Sequence, residues 1–433
     1  MRPAKGGTIA DTRAAAATVV AQVLEGASLN QVLPAALDTV ASRDRSLLQQ
    51  LCYGTLREYP RLQPQLARLL AKPLRSRDRE VEALLLAGLY QLSATRIPDH
   101  AAVAATVAAA TALSRPWAKG LCNAVLRRYL REREVLAAQL DDAAAAAHPQ
   151  WLYQAIHREW PQQAAAIIAA NNAQPPMVLR VNRRLGSRED YLATLAANGI
   201  EASAGSLAAE AIYLAQPMDV SALPGFADGR VSIQDEAAQL AARLLQATPG
   251  DRVLDACAAP GGKTCHLLEL DPTLRLVAMD VDPQRLRRVR ENLQRLSLDA
   301  EVLTEDAAAP VQLQGQRFQR ILVDAPCSAS GVVRRHPDIK VLRRPADIGS
   351  FAAQQLAILR GLWPLLAPGG RLLYVTCSVL EEENSGVLQQ FLQATPEAIL
   401  LPAPVGELRP CGGQLLPQVQ GPDGLFYGIV QRP

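Results

Sequence analysis

Two cysteines stand directly after apolar, strand-like runs. Cys327 lies in Asp324-Ala325-Pro326-Cys327-Ser328, and Cys377 follows 50 residues later in Thr376-Cys377-Ser378. A side chain just past the C-terminal end of a strand in an open α/β sheet faces the crevice where ligands bind, so both thiols are expected at one reacting edge. A third turn of the same kind, Cys257-Ala258-Ala259-Pro260-Gly261-Gly262-Lys263-Thr264, follows a strand-like run and opens a helix. Small residues and two glycines let the backbone approach a ligand at a helix N-terminus. The letters invite a triphosphate-binding reading, but G-x-x-x-x-G-K-[ST] demands glycine where Cys257 stands, which removes it.

Asp280 comes 18 residues after Gly262 and closes the next strand, where a carboxylate can accept hydrogen bonds from ribose hydroxyls. Asp306 follows the third strand and Asp324 ends the fourth, so polar groups gather on one sheet edge. Nothing supplies the second phosphate grip that a dinucleotide requires. S-Adenosylmethionine fits better, because it carries an adenosine and a sulfonium but no phosphate. Asp282-Pro283 reads more simply as the cap and first turn of the next helix.

Thiols beside a methyl donor suit methylation of a pyrimidine at C5, a carbon too weakly nucleophilic to react unaided. A thiolate adds to C6, electron density moves to C5, C5 takes the methyl, and loss of the C5 proton expels the enzyme. Asp324 can hold or protonate the ring at N3. An ordinary thiol titrates near about 8.5, so the nucleophile needs a positive neighbour or a helix N-terminus. Lys263 and the helix expected from Glu381 are the candidates. Cys52, Cys122, Cys265 and Cys411 read as small buried hydrophobes. Arg317, Arg320, Arg334, Arg335, Lys340, Arg343 and Arg344 stand against only Asp324 and Asp338 in the same stretch, a strip that suggests a polyanionic substrate, with a solvated loop as the alternative. His336, inside that strip, reads as a loop contact rather than a base.

These groups need a scaffold. From residue 232 onward, strand-like runs at 252–255, 276–280, 301–303, 320–324 and 371–376 alternate with helical patterns at 263–270, 284–296, 348–366 and 381–393. That alternation predicts a Rossmann-like α/β domain with a mostly parallel sheet. Residues 11–142 instead read as helix after helix. Asp11 caps the first and Gly26 ends it, and 42–56, 80–92, 101–113 and 119–130 repeat apolar residues every three or four positions. Between them, prolines punctuate a small α+β connector, with strands at 177–181 and 211–214 and a helix at 188–198 ended by Gly199. The expected domains are 1–142, 143–230 and 231–433. Arg127, Arg128, Arg131 and Arg133 can form a basic face, but they read more simply as a solvated helix end complementing its dipole. Arg180, Arg183, Arg184 and Arg188 are either a solvated loop or an RNA contact.

Composition narrows the class. The 433 residues are 49% hydrophobic and 20% charged, with mean hydropathy +0.02, which sets aside a disordered tail and a membrane bundle. The longest weakly polar stretch, 101–113, falls short of the roughly 18 to 20 apolar residues that span a bilayer. Seven cysteines, odd in number and without C-x-x-C, suggest neither a disulfide framework nor a metal site. Arg2, Lys5, Asp11 and Arg13 at the start, without an apolar signal core, favour the cytosol. The net charge of +3 divides into +6 for residues 1–145 and −3 for the rest, so an anionic partner is expected for the N-terminal third. Forty Arg against five Lys suit bidentate phosphate contacts, and equally a GC-rich genome.

The segments LDACAAPGGKT, DAPCSASGVVRRHPDIK and YVTCSVLEEEN resemble the RNA cytosine-C5 methyltransferase family. The resemblance spans essentially the whole chain, because residues 1–140, including RDRSLLQQLCYGTLR, look like the NusB-like RNA-binding domain that precedes this catalytic domain. It implies that Cys377 is the nucleophile and that Cys327 assists release, an order the residues alone leave open. It also implies S-adenosylmethionine binding by residues 257–263 with Asp280, Asp306 and Asp324. The implied substrate is one cytidine of 16S ribosomal RNA, naked or in an early small-subunit particle, with no membrane or protein partner and a monomeric enzyme. Ala256 and Met279 depart from the larger or β-branched residues of the family, a matter of packing. Two other classes fit these residues less well. An RNA-binding factor with a silent catalytic domain conflicts with the intact Asp324, Cys327 and Cys377. A methyltransferase for proteins or small molecules leaves the thiols and the cationic strip unexplained.

Overall fold

The computed structural model describes residues 10–433; Arg2 and Lys5 lie outside them. The chain forms two units. One takes the chain up to Arg158 together with Val333–Pro345, and the other holds Glu159–Val332 and Ala346–Pro433.

The first unit is helical, as its apolar spacing requires. Its main helices are Thr12–Leu24, Leu29–Leu37, Arg45–Leu69, Arg79–Ala94, Asp99–Ala112 and Ala118–Ala138. Asp11 accepts the backbone N–H groups of Arg13 and Ala14 at 2.9 Å, and Gly26 supplies the positive φ that follows the first helix. The third helix runs well past the expected end at 56. It continues through Pro60 and Pro64 because Leu62, Leu66 and Leu69 carry its buried stripe onward, and core burial outweighs the missing N–H donors. Helix Leu29–Leu37, with Pro34 inside it, was not expected at all. Arg127 and Arg128 lie mid-helix rather than at an end: Arg128 bonds Glu132 at 3.0 Å and donates to the Leu69 carbonyl at 3.3 Å, while Arg127 donates to Asn123.

Residues 333–345 complete this unit. Asp338 accepts the Leu29 N–H at 3.0 Å and the Ser28 hydroxyl at 3.3 Å. Arg57 donates to the Arg334 carbonyl, and Lys340 donates to the Arg57 carbonyl. Arg334 and Lys340 are buried, which corrects the expectation that they belong to an exposed cationic strip. Burial pushes the Lys340 ammonium down to about 7. His336 contacts Asn30, a loop contact as expected.

The second unit begins with a four-stranded antiparallel sheet of β1 (Val178–Val181), β2 (Ala202–Ala204), β3 (Ala211–Leu214) and β4 (Val231–Ile233), in the order β2-β3-β1-β4. Helix Arg188–Ala197 packs Tyr191 and Leu195 against Leu179, Val181 and Ile212. Arg180 is not available to RNA: it is buried and bonds Glu269 through two nitrogens at 2.7 and 2.8 Å.

The large sheet holds β5 (Arg252–Ala256), β6 (Arg275–Asp280), β7 (Glu301–Thr304), β8 (Phe318–Asp324), β9 (Leu366–Thr376), β10 (Ile399–Leu401), β11 (Glu407–Arg409), β12 (Gly412–Leu415) and β13 (Leu425–Gln431). Its order is β11-β12-β13-β9-β8-β5-β6-β7, with β10 beside β13. Strands β9, β8, β5, β6 and β7 are parallel. Successive residues serve opposite faces. Val253, Leu276, Ala278, Leu322 and Leu373 enter one core, whereas Leu254, Val277, Met279, Ile321 and Leu372 enter the other. Both faces are covered by helices, so these strands read as continuous apolar runs. The antiparallel strands β10 to β13 are additional to the sequence expectation, because Gly412, Gly413 and Gly428 break the apolar pattern there. The helix expected at 348–366 is Pro345–Leu362, because β9 already begins at Leu366. Arg317 and Arg320 stand at the N-terminal side of β8, the edge away from the thiols, and Arg320 faces Asp251. Among the described residues, no helix is long and apolar enough to cross a membrane.

Candidate active site

Strand β5 delivers the chain into the glycine turn. Gly261 has φ +96°, and a Cβ there would come within 3.1 Å of the Val289 backbone, so both conformation and space call for glycine. Helix Gly262–Leu270 starts immediately after it. The turn is tied to the neighbouring strand end: Ala258 donates to the Met279 carbonyl at 2.9 Å and Ala259 to the Asp280 carboxylate at 3.2 Å. Asp280 also receives the Asp282 N–H at 3.1 Å and the Arg285 guanidinium at 3.2 Å. Asp282 caps the following helix through the N–H of Gln284, with Pro283 in its first turn, as the sequence suggested.

A cleft of about 270 Å³ opens at these strand ends. Cys257, Ala259, Asp280 and Asp306 line it together with Asp324, Cys327 and Cys377, and Ala307, Pro326 and Ile358 give it apolar surface. Of the expected site residues, Ala258, Pro260, Gly261, Gly262 and Lys263 form the turn and, among the described residues, are not part of the lining. Lys263 reaches the site through its partner: Nζ bonds the Asp324 carboxylate at 2.6 Å. Burial opposes its charge, but Asp324, Asp255 and Cys377 outweigh it, so its titration is raised and the ammonium persists.

The two thiols meet. Cys327 Sγ and Cys377 Sγ are 3.2 Å apart, with Cys327 buried and Cys377 half-buried. The contact with Cys377, then burial and Glu383, hold Cys327 well above the ordinary thiol range, so it keeps its proton. Cys257 is likewise raised by burial and by Asp280, Asp324 and Asp255. Burial pushes Cys52 and Cys265 up to about 12 and Cys122 to about 11, which makes them poor nucleophiles.

Several residues of the site escaped the sequence reading. Asp255, within β5, accepts the Thr264 hydroxyl at 2.5 Å on one oxygen, while its other oxygen is buried without a partner. Burial, then Asp324 and Asp280, push it up to about 7 against the pull of Thr264 and Lys263. An acid inside an apolar strand run was the signal available. Arg285 and Gln354 also line the cleft, and Glu383 stands behind the thiols, where it accepts from Ser328 and Ser378.

The donor set suits a cationic nucleoside. Acidic Asp280, Glu305, Asp306 and Asp324 face the cleft, and the cations Arg285 and Lys263 are paired to Asp280 and Asp324. Carboxylates can accept ribose hydroxyls and favour a sulfonium, whereas they repel a phosphate. Among the described residues, no group of three or more His, Cys, Asp or Glu is arranged to hold a metal ion.

Comparison with known proteins bears on the whole chain. Residues 242–431 match the family model described as 16S rRNA methyltransferase RsmB/F. Residues 148–221 match the ferredoxin-like domain of RsmF/B-like methyltransferases, and residues 10–131 match the NusB family. The chain is 56% identical over 422 residues to the ribosomal RNA small subunit methyltransferase B of Pseudomonas putida, covering 96% of this chain and 97% of that one. It is 54% identical over 427 residues to the protein of the same name from Pseudomonas syringae pv. tomato, covering 96% and 95%. In fold it is similar to the crystal structure of PH0851, with a TM-score of 0.82 at 22% identity, covering 99% of this chain and 100% of that one.

Proposed function

This chain belongs to the 16S rRNA methyltransferase RsmB/F family, and we propose that it methylates C5 of one cytidine in 16S ribosomal RNA through a covalent bond from Cys377 to C6. The observation that carries the proposal is the pair of sulfurs 3.2 Å apart in a cleft that also holds Asp280, Asp306 and Asp324.

Asp280 and Asp306 would accept hydrogen bonds from the adenosine part of S-adenosylmethionine, and the turn from Cys257 to Lys263 would hold its methionine end. When bound, S-adenosylmethionine supplies an electrophilic sulfonium methyl to the activated C5. Cys377 attacks C6 as a thiolate, helped by the charge of Lys263, and the displaced electron pair moves to C5. As C6 is attacked, N3 takes a proton from solvent, and Asp324, steadied by Lys263 at 2.6 Å, accepts a hydrogen bond from the protonated N3. A water molecule takes the C5 proton, the pair freed from the C5–H bond restores the C5–C6 double bond, and the C6–Sγ bond breaks with its pair on sulfur. Cys327, which retains its proton and touches Cys377, hands that proton to the departing sulfur.

Residues 1–142 serve as the NusB-like RNA-binding domain, 143–230 as the connector and 231–433 as the methyltransferase. The protein acts in the cytoplasm as a monomer, on naked 16S RNA or an early small-subunit particle. Methyl transfer from labelled S-adenosylmethionine to unmodified 16S RNA tests the reading. Cys377→Ala is expected to abolish incorporation, and full activity in that variant rejects the nucleophile. Cys327→Ala is expected to accumulate a protein–RNA adduct that survives denaturing electrophoresis, and absence of a shifted band rejects the release role. Bisulfite mapping of the RNA identifies the base.

A further inference from the structure

The parallel ladder that positions the thiols stops short of them. The last register pair between β8 and β9 joins Asp324 to Val375; beyond it single bonds rather than a ladder link the two loops, among them the Ser330 and Ser378 hydroxyls at 3.0 Å and the Val379 N–H donating to the Ser330 hydroxyl at 3.0 Å. Ser328 and Ser378, the residues immediately after Cys327 and Cys377, converge instead on one side chain. The Glu383 carboxylate accepts the Ser328 N–H at 2.7 Å and the Gln355 amide at 3.3 Å on one oxygen. Its other oxygen accepts the Ser328 hydroxyl at 2.5 Å and the Ser378 hydroxyl at 2.7 Å. Gln355 also donates to the Pro326 carbonyl at 2.8 Å, and the Gly331 N–H donates to the Cys377 carbonyl at 2.9 Å. Glu383 is fully buried and does not line the cleft.

We propose that Glu383 is a positioning residue whose single carboxylate clamps both thiol-bearing loops and so holds the Cys327 and Cys377 sulfurs in register for attack and release. The proposal rests on the reading that these thiols carry out those two steps. A carboxylate is suited to the task because it offers lone pairs on two oxygens to donors arriving from two loops. Burial raises the titration of this carboxyl against the pull of the serine and glutamine donors, and removing it takes the acceptor from the Ser328 N–H and leaves the two hydroxyls to one another and to Ser330, at 3.0 to 3.3 Å. Glutamine can replace it in part: the amide oxygen still accepts the Ser328 N–H, and the amide nitrogen donates to the serine hydroxyl oxygens. Alanine supplies neither.

The test uses the full chain with Glu383→Ala, Glu383→Gln and Ser378→Ala, each checked for native circular dichroism. The first readout needs no RNA. The Cys327–Cys377 pair is equilibrated in glutathione buffers and the intramolecular disulfide is quantified by mass spectrometry. Loss of the clamp is expected to lower its effective concentration at least about tenfold in Glu383→Ala, a shift of about 30 mV, while Glu383→Gln stays near wild type. The second readout is single-turnover adduct formation on 16S RNA, expected to fall about a hundredfold in Glu383→Ala from sulfur misplacement, with S-adenosylmethionine affinity unchanged. Ser378→Ala removes one arm of the clamp and takes the same measurements if Glu383→Ala does not fold, with a smaller shift in the same direction expected. A folded clamp variant with unchanged disulfide equilibrium and unchanged adduct rate overturns the proposal. A shifted disulfide equilibrium, in a protein whose wild type forms no RNA adduct, supports the clamp and rejects the pyrimidine reading instead.

Discussion

Asp255 shows how one side chain can couple the site to pH. Its carboxyl is raised from 3.8 to about 7, first by burial and then by Asp324 and Asp280. The unfolded chain therefore loses this proton near 3.8 and the folded chain near 7. Between those values the folded state binds more protons, so this group's contribution to stability is present below about 4 and is lost as pH rises towards 7. Asparagine keeps an acceptor for Thr264 and cannot ionise. Asp255→Asn is thus expected to gain stability relative to wild type between pH 4 and pH 8 in urea unfolding, and a pH-independent difference between the two proteins rejects the assignment. Asp255 was hard to single out from sequence, because its importance comes from burial and from neighbours on two other strands. The placement of Cys327, Cys377, Asp280, Asp306 and Asp324 along one cleft was legible, since position at a strand end is a property of local sequence. Arg334 and Lys340 were misread for the converse reason: a run of cations looks solvated until a helical unit closes over it.

At the scale of elements, apolar period located most helices and all five parallel strands, and it failed where distant residues supply the stabilising partner. Helix Leu29–Leu37 is the clearest case. Its Ser28 cap makes no side-chain bond to the helix, and its Leu29 N–H is satisfied instead by Asp338, more than 300 residues away in sequence. No local pattern encodes such a cap. Asp338→Ala removes the acceptor and is expected to cost about 1 kcal/mol, the usual worth of a helix cap. It is also expected to speed hydrogen exchange at the Leu29 amide. Asp338→Asn, which retains an acceptor oxygen, is expected to recover most of both effects. Equal stability of Asp338→Ala and wild type, with unchanged exchange at Leu29, contradicts this account. The antiparallel strands β10 to β13 were missed for a related reason. Their short, glycine-broken runs are stabilised by pairing across the β9 edge, for example Tyr427 with Val375, rather than by their own period.

At the scale of the molecule, the small sheet and the large sheet of the second unit are joined by a buried ion pair beside the glycine turn. Arg180 from β1 bonds Glu269 with both side chains at most 1% exposed, and its remaining donor reaches the Gly262 carbonyl and Gln234 at 2.6 Å. The sequence offered Arg180 as one of four exposed cations, whereas its role is internal. A buried pair of this kind is strongly destabilising to break, yet its net contribution compared with well-packed hydrophobes is small. Two effects of Arg180 can therefore be separated. Arg180→Ala strands the Glu269 charge and is expected to lose about 3 to 5 kcal/mol of stability. Arg180→Met combined with Glu269→Leu removes both charges and is expected to regain most of that loss in urea unfolding. The Gly262 carbonyl, however, lacks its guanidinium donor in both proteins, so the glycine turn, proposed above to receive S-adenosylmethionine, loses the same restraint. Calorimetric titration is expected to show weakened S-adenosylmethionine binding in the double variant despite its recovered stability. Recovery of affinity along with stability would instead mean that the pair contributes to folding alone and that the glycine turn orders itself without help from the small sheet.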